Sequence, residues 1–594
     1  MHREYSADEF RREAAAILGL VSNCRTLNSA RQRLFERVTD FQFDTASGEL
    51  EHIPGDIVTV RDAARALRSV LKERSDKISR FSVTQALWDL ARGRPREDLT
   101  PAFYADIGHM IMGVEGRTPH RRPGEYELNE KLSGRNAARQ RSDELDVIWE
   151  RVQARLDSYP TGLDETAVRR RRRRRHRVAE ALGATREQWN DWHWQVENII
   201  TGPEKLVELV TVSDEELQSA GQAVEGGLPF GITPYYATLM DERPDLGRDR
   251  AVRAQVLPPA DYVAEMIAHR GERHRAFDFM LEHDTSPVDL VTRRYPAIVI
   301  LKPFNTCPQI CVYCQRNWEI DQAMAPGALA PAKKIEAAFK WIEEHPAVRE
   351  VLVTGGDPLG LEDDELRKIL DRLANIEHVD VIRLGTRTPV TMPMRITRKL
   401  AGMLGSFREP GRREICLVTH FEHPYEITPW AAAAVDRIRR QGISVLNQQV
   451  FTFFVSRRFE TAKLRLALRL LGVDPYYTFM PKGKEETASY RVPLARMLQE
   501  QKEEARLLPG SRRTDEAVYN VPGLGKNYLR ATQHRDMVTV LPSGERIFEF
   551  HPWEKKIAPS QGYLGNDVPI LGYLQRLEAI GEDPADYESI WYYY

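Results

Sequence analysis

Three of the five cysteines in this 594-residue sequence fall within eight positions, Cys307-Pro-Gln-Ile-Cys311-Val-Tyr-Cys314, while Cys24 and Cys416 stand far away. Thiolates are soft ligands, and a Cys-x3-Cys-x2-Cys loop can hold three irons of a 4Fe–4S cluster while leaving the fourth iron without a protein ligand. That open iron is where chemistry would occur. A structural zinc is the alternative, but such zinc is closed by four ligands, and no fourth cysteine or histidine lies in or beside this loop. So sparse and odd a set does not suit a disulfide framework, and it points to a reducing, cytoplasmic compartment. Two glycine motifs carry further chemistry. Thr354-Gly355-Gly356-Asp357-Pro358 ends an apolar run, and paired glycines let backbone approach a ligand closely. Pro522-Gly523-Leu524-Gly525-Lys526 places an amine on a glycine-flanked loop, where it is either an exposed lysine or a carbonyl-reactive one.

These residues need a frame. Short β-branched runs at 295–304, 348–355, 379–386, 415–421, 444–453 and 475–480 alternate with helical patterns near 331–344, 362–375, 395–404, 429–440 and 457–472. Such alternation predicts βα units, a parallel sheet and an α/β fold, a partial six-unit TIM-like barrel. In such barrels the chemistry lies at the C-terminal strand ends, where the cysteine loop and Gly355-Gly356 fall. Residues 1–185 read as a charged helical extension of unknown function, 186–290 as a helical segment wrapping the core, 291–530 as the barrel with the lysine loop, and 531–594 as a C-terminal hairpin and tail. The hairpin is expected around Pro542-Ser543-Gly544-Glu545. The run Arg169–Arg175, followed by His176 and Arg177, reads as a solvated helix in preference to a nucleic-acid patch, because no aromatic residues interleave it. Composition agrees with this frame: 42% hydrophobic and 29% charged residues are globular values, and a net charge of −2 gives no global attraction to nucleic acid or anionic lipid. No apolar run approaches the roughly 20 residues of a membrane-spanning helix.

The cysteine spacing, on the loop after the first barrel strand, resembles that of the radical S-adenosylmethionine (SAM) superfamily, in which SAM chelates the fourth iron. Further segments resemble the lysine 2,3-aminomutase family: Trp189-Asn-Asp-Trp192-His-Trp194-Gln195, Ile232-Thr233-Pro234-Tyr235-Tyr236-Ala237, Asp284-Thr-Ser-Pro287, Arg294-Tyr295-Pro296, His420-Phe-Glu-His423-Pro424, Asn447-Gln448, Pro475-Tyr476-Tyr477 and the Lys526 loop. The likeness runs from about 189 to 559. It implies a 4Fe–4S cluster on Cys307, Cys311 and Cys314, and SAM beside Gly355, Gly356, Asp357, Thr386, His420 and Gln448. It also implies pyridoxal 5′-phosphate (PLP) carried by Lys526 with Arg294 and Tyr295 at its phosphate. The implied reaction is an isomerisation: an electron from an external flavodoxin- or ferredoxin-type donor splits SAM, and a radical route moves the α-amino group of a free amino acid to its β-carbon. The sequence departs from the family at two points here. Its lysine loop has one glycine fewer, and Ile298 stands where the family has a basic residue. The resemblance also implies a homo-oligomer. Because no cysteine follows Cys416, the zinc that lysine enzymes of the family can carry is not expected.

Within the same resemblance Arg316 receives the substrate α-carboxylate, a role suited to a planar guanidinium. Lys482 and Asn520 occupy the positions of two aspartates that hold the distal ammonium in lysine enzymes. A cation facing that ammonium would cost about 4 kcal/mol at ~4 Å with an effective dielectric near 20, or about three decades of affinity. An ammonium and an amide are instead donors for a carboxylate, as in glutamate 2,3-aminomutases. L-Glutamate to β-glutamate is therefore the expected reaction. The alternatives are L-lysine, with Glu485 or Glu486 supplying the acid, and a degenerate barrel that binds RNA or a partner without catalysis.

Overall fold

The apolar runs form a parallel sheet in the computed structural model, which describes residues 4–47, 57–118, 132–481, 485–551 and 562–594. Its strands are β1 (Val291–Thr292), β2 (Ile298–Phe304), β3 (Glu350–Gly355), β4 (Val381–Gly385), β5 (Glu414–Thr419), β6 (Ser444–Val450), β7 (Asp474–Phe479) and β8 (Glu516–Val521). They lie side by side in sequence order, with β1 antiparallel to β2 and every later pair parallel. Helices Ala332–Glu343, Asp363–Ala374, Arg398–Gly405, Pro429–Arg439 and Glu460–Leu471 make the crossovers from β2 to β7. All six expected strands are present, with boundaries within three residues of those expected, in a partial barrel. β8 adds a seventh parallel strand that the sequence pattern did not indicate.

Register explains the rigidity of this frame. Leu301, Val353, Leu384, Leu417 and Val445 stand in one row across five strands, and all are buried in one core cluster with Leu366, Ile369, Leu370 and Leu373 of a crossover helix. Burial of each such side chain contributes about 1.5–3 kcal/mol. On the other face Arg383 donates to the Tyr476 hydroxyl at 2.7 Å and pairs with Glu350.

The barrel belongs to a unit comprising Arg155–Arg491 and Leu508–Gly525. Here the arginine run forms helix Glu165–Ala181, and the structure corrects the expectation of a solvated helix along one face. Ala167, Arg171, Arg174 and Val178 are buried at helical spacing. Arg171 donates to the Gly162 carbonyl at 2.7 Å, and Arg174 donates to the Thr238 carbonyl at 2.7 Å and to the Tyr425 hydroxyl at 3.2 Å. Their guanidinium groups satisfy carbonyls that would otherwise be buried without a partner. Arg169, Arg172, Arg173 and Arg177 stay exposed.

The second unit comprises Met1–Ala154, Val492–Leu507 and Lys526–Tyr594, so the first and last parts of the chain share one core. The chain enters it at strand β9 (Gly525–Tyr528) and forms the antiparallel sheet β10 (Arg535–Val540), β11 (Arg546–Phe550) and β12 (Tyr563–Asn566). The expected hairpin turn closes between Leu541 and Glu545, with Gly544 at φ +84°. Arg546 binds both oxygens of buried Asp106, at 2.9 and 3.2 Å, and donates to the carbonyls of Trp591 and Tyr593. His109 stacks on Trp591 with ring centroids 4.6 Å apart. The unit boundary at 154/155 lies inside the stretch that reads, from sequence, as one extension to 185. No helix among the described residues is long and apolar enough to cross a membrane.

Candidate functional site

Parallel pairing brings the C-terminal ends of the strands to one rim, with Phe304 beside Gly355, Gly385 beside Val418, and Thr419 beside Asn447. The loops that follow carry Cys307, Gly356-Asp357, Thr386-Arg387 and His420-Glu422. The Gly356 amide donates to the Phe304 carbonyl at 2.7 Å and the Asp357 amide to the Thr306 carbonyl at 2.9 Å. A Cβ on Gly356 would lie 2.0 Å from that Thr306 oxygen, so this glycine lets the strand end pack on the residue preceding Cys307. Gly355 has φ +110°, a conformation that favours glycine.

The cysteine loop is anchored from the segment that precedes the barrel. Ile310 donates to the Gly231 carbonyl and Val312 to the Gln255 carbonyl, each at 2.9 Å. The Asn317 amide donates to the Cys311 and Val312 carbonyls and to the Tyr262 hydroxyl. All three cysteines are partly buried. Burial pushes the Cys307 thiol well up, with further upward pressure from Asp357, Cys314 and Cys311, and the Cys311 thiol also rises. Burial and neighbouring negative charges disfavour the thiolates, and the positive charge of a bound metal centre would deprotonate them. Ligands of one zinc ion would stand about 3.8 Å apart at Zn–S near 2.3 Å. Among the described residues no three His, Cys, Asp or Glu side chains are gathered around a single-ion site. Three thiols on one short loop would hold three irons of a cluster and leave the fourth open.

Arg387, which the sequence reading did not single out, is the centre of the rim. Its Nη1 donates to Cys311 Sγ at 2.9 Å. Its Nη2 donates to Glu426 at 2.7 Å, to the Tyr236 hydroxyl at 3.3 Å and to Gln255 Oε1, and its Nε to the His420 carbonyl at 3.2 Å. Glu426 is fully buried and also accepts from Tyr236 and from the Glu422 amide, so the pair is charge-balanced and hydrogen-bonded. A cation directly after a strand end was the one signal available in sequence. Its Nη2 partners lie 39, 132 and 151 positions away.

The expected SAM-site residues converge on this rim with distinct tasks. Asp357 is spent on structure: its oxygens accept from the Thr386 hydroxyl at 2.6 Å, the Thr388 hydroxyl at 2.9 Å, and the amides of Leu359, Arg387 and Thr388. The imidazole of His420 is pushed down to about 4 by burial and then by Arg387, so it is neutral. Gln448 is half-buried on β6 between Asn447, whose amide bonds both backbone groups of Phe421, and Gln449, which donates to the Glu422 carbonyl. Glu422, also not anticipated, is buried and accepts from the Val450 amide at 2.7 Å. Burial, outweighing Arg387, pushes it up to about 8.

Arg316 lies two residues past Cys314 and donates through its two Nη atoms to Glu282 and Glu319, with Lys302 donating to the same Glu282 oxygen at 2.9 Å. Arg294 donates to the Met280 carbonyl and, at 2.9 Å, to the Gly523 carbonyl, which ties it to the loop before Lys526. Tyr295 is half-buried, as is Asn520 on β8. Lys526 is half-buried on β9 and is the first residue of the second unit after Gly525. Lys482 lies outside the described residues.

Residues 301–408 match the radical SAM superfamily. Over 97% of its length the chain is 42% identical to an uncharacterised KamA family protein of Methanocaldococcus jannaschii, of which it covers 95%. The chain belongs to the KamA, or lysine 2,3-aminomutase, family. It is 35% identical to the L-lysine 2,3-aminomutase of Fusobacterium nucleatum over 52% of this chain and 69% of that one. It is 33% identical to the glutamate 2,3-aminomutase of Clostridioides difficile over 54% and 71%. The family implies a 4Fe–4S cluster and SAM, and its characterised members are isomerases. The N-terminal residues that the aminomutase motifs leave uncovered are shared with the M. jannaschii relative.

Proposed function

We propose that the protein is a PLP-dependent radical SAM 2,3-aminomutase whose substrate is an amino acid with an anionic side chain, L-glutamate, giving β-glutamate. Overall identity does not separate lysine from glutamate enzymes, at 35% and 33%. What carries the reading is the pair Lys482 and Asn520 in place of two carboxylates, because a cationic side chain would meet a cation. Of the two alternative acids, Glu485 and Glu486, Glu486 is buried near Tyr262, whose hydroxyl is raised by burial first and then by the Glu486 carboxylate.

When bound, the cluster and SAM supply a hydrogen-abstracting radical, and PLP holds the migrating nitrogen. Cys307, Cys311 and Cys314 would hold the cluster, and Arg387 places a cation and an N–H on the Cys311 sulfur. Neutral His420 and Glu422 line the rim without adding charge near neutral pH. Arg316 orients the α-carboxylate and Lys526 is the amine that carries PLP, with Arg294 fixing its loop. Exclusion of water from the rim once substrate is bound would protect a radical from quenching. The chain is to be reconstituted with iron, sulfide, PLP, SAM and reductant, then assayed with L-glutamate and L-lysine side by side. Formation of β-glutamate is expected, and turnover of lysine alone would overturn the substrate assignment.

A further inference from the structure

The ion cluster around Arg316 contains more than an arginine awaiting a carboxylate. Arg316 and Lys302 contribute two cations, Glu282 and Glu319 two carboxylates, and all four side chains are between 13% and 21% exposed. The two acids are not equivalent. Glu319 lies three residues from Arg316, which caps the short helix Asn317–Glu319, and so moves with it. Glu282 comes from a separate segment, and one of its oxygens is bonded to both Arg316 Nη1 and Lys302 Nζ. A carboxylate bridging these cations therefore already sits on the group that the family reading assigns to the substrate. A third carboxylate could not enter a balanced, largely desolvated cluster without leaving it net negative, whereas exchange with Glu282 preserves neutrality.

We propose that Glu282 is an internal stand-in for the substrate α-carboxylate: it occupies the seat between Arg316 and Lys302, and the incoming carboxylate displaces it. Lys302 is then a second carboxylate-recognising residue. Its position on β2 makes it part of the rigid sheet, whereas Glu282 is on a short segment that can withdraw. That segment is fastened at its neighbours: the Gly523 amide donates to the Phe279 carbonyl at 3.0 Å, and Arg294 holds the Met280 carbonyl. Withdrawal of Glu282 would thus pull on residues bonded to the loop that leads to Lys526. The proposal rests on the reading that Arg316 binds an α-carboxylate, and it is independent of which amino acid the enzyme uses.

The test uses the full chain loaded with cluster, SAM and PLP but without reductant, so that binding is measured without turnover. Calorimetry with L-glutamate, L-lysine and the α-amide of each is compared between the native chain and Glu282→Gln. Removing the competing charge is expected to tighten the preferred free amino acid at least about tenfold, as expected for a lost charge-assisted bond, and to leave its α-amide unchanged. Lys302→Met in the Glu282→Gln background is expected to reverse most of that gain. A gain seen with lysine in place of glutamate would keep this proposal and overturn the substrate assignment. No gain for either, or an equal gain for the amides, would overturn the proposal. The native chain provides a second measurement that needs no variant to fold. Amide exchange across 279–286 is expected to rise several-fold when the amino acid binds, and unchanged or slower exchange there would equally overturn the proposal.

Discussion

Two titrating groups in contact with one network give this protein a pH dependence with a definite shape. Glu422 is pushed up to about 8 by burial, with Glu426 adding to the effect, while Arg387, the Val450 amide and Tyr313 oppose it. An acid whose folded value lies above its unfolded value of 4.5 keeps a proton that the unfolded chain has lost, so stability falls as pH rises through this window. His420 acts oppositely between about 4 and 6.5: the unfolded chain binds the proton there, so stability rises with pH. The two slopes cancel up to 6.5, and from there to about 8 only the Glu422 loss remains, at most about 1.4 kcal/mol per pH unit. Urea unfolding of the cluster-free protein is expected to show a midpoint that declines from pH 6.5 to 8, and Glu422→Gln is expected to flatten that decline. At this scale the sequence is informative where residues are contiguous. Cys307, Cys311, Cys314 and Gly356 lie in short motifs whose spacing is their chemistry. The Arg387, Glu426 and Tyr236 contacts exist only because pairing of β4 and β5 and the preceding segment bring distant residues to one rim.

Among the elements, helix Glu165–Ala181 separates composition from role. Seven consecutive arginines look like one charged feature, but a helical period assigns them to opposite environments. Removing Arg174 would deprive the Thr238 carbonyl of its donor and Asp241 of a cation 3.8 Å away, at a cost of about 3 kcal/mol. Removing exposed Arg173 should change stability by less than about 0.5 kcal/mol. Denaturant midpoints of Arg174→Ala and Arg173→Ala measure the difference, and equal values would mean that the buried face carries no load. The crossover helices and strands up to β7 are legible because each strand is apolar on two faces and each helix is amphipathic. β8 is not, for two physical reasons. Its run Glu516-Ala-Val-Tyr-Asn-Val is interrupted by polar residues, and the helix before it, Leu494–Leu507, lies in a different unit from the strand it precedes.

On the scale of the whole molecule, three separated stretches of chain build the unit that contains Lys526. Asp106 near one end of the sequence neutralises Arg546 near the other, and both are fully buried, so neither stretch can be removed without leaving a charge unpaired in the core. Sequence periodicity cannot reveal such a partnership, because the residues involved are 440 positions apart. The distribution of sulfur over the two units has a practical meaning. Cys24 is 4% exposed and Cys416 5%, with the Cys416 thiol pushed up to about 12 by burial, while the three loop cysteines remain reachable. The chain therefore contains its own occupancy gauge. A small alkylating reagent used at alkaline pH, because burial also raises the Cys307 and Cys311 thiols, should modify three thiols in native cluster-free protein and five after unfolding, and the native count should shrink in proportion to the cluster loaded.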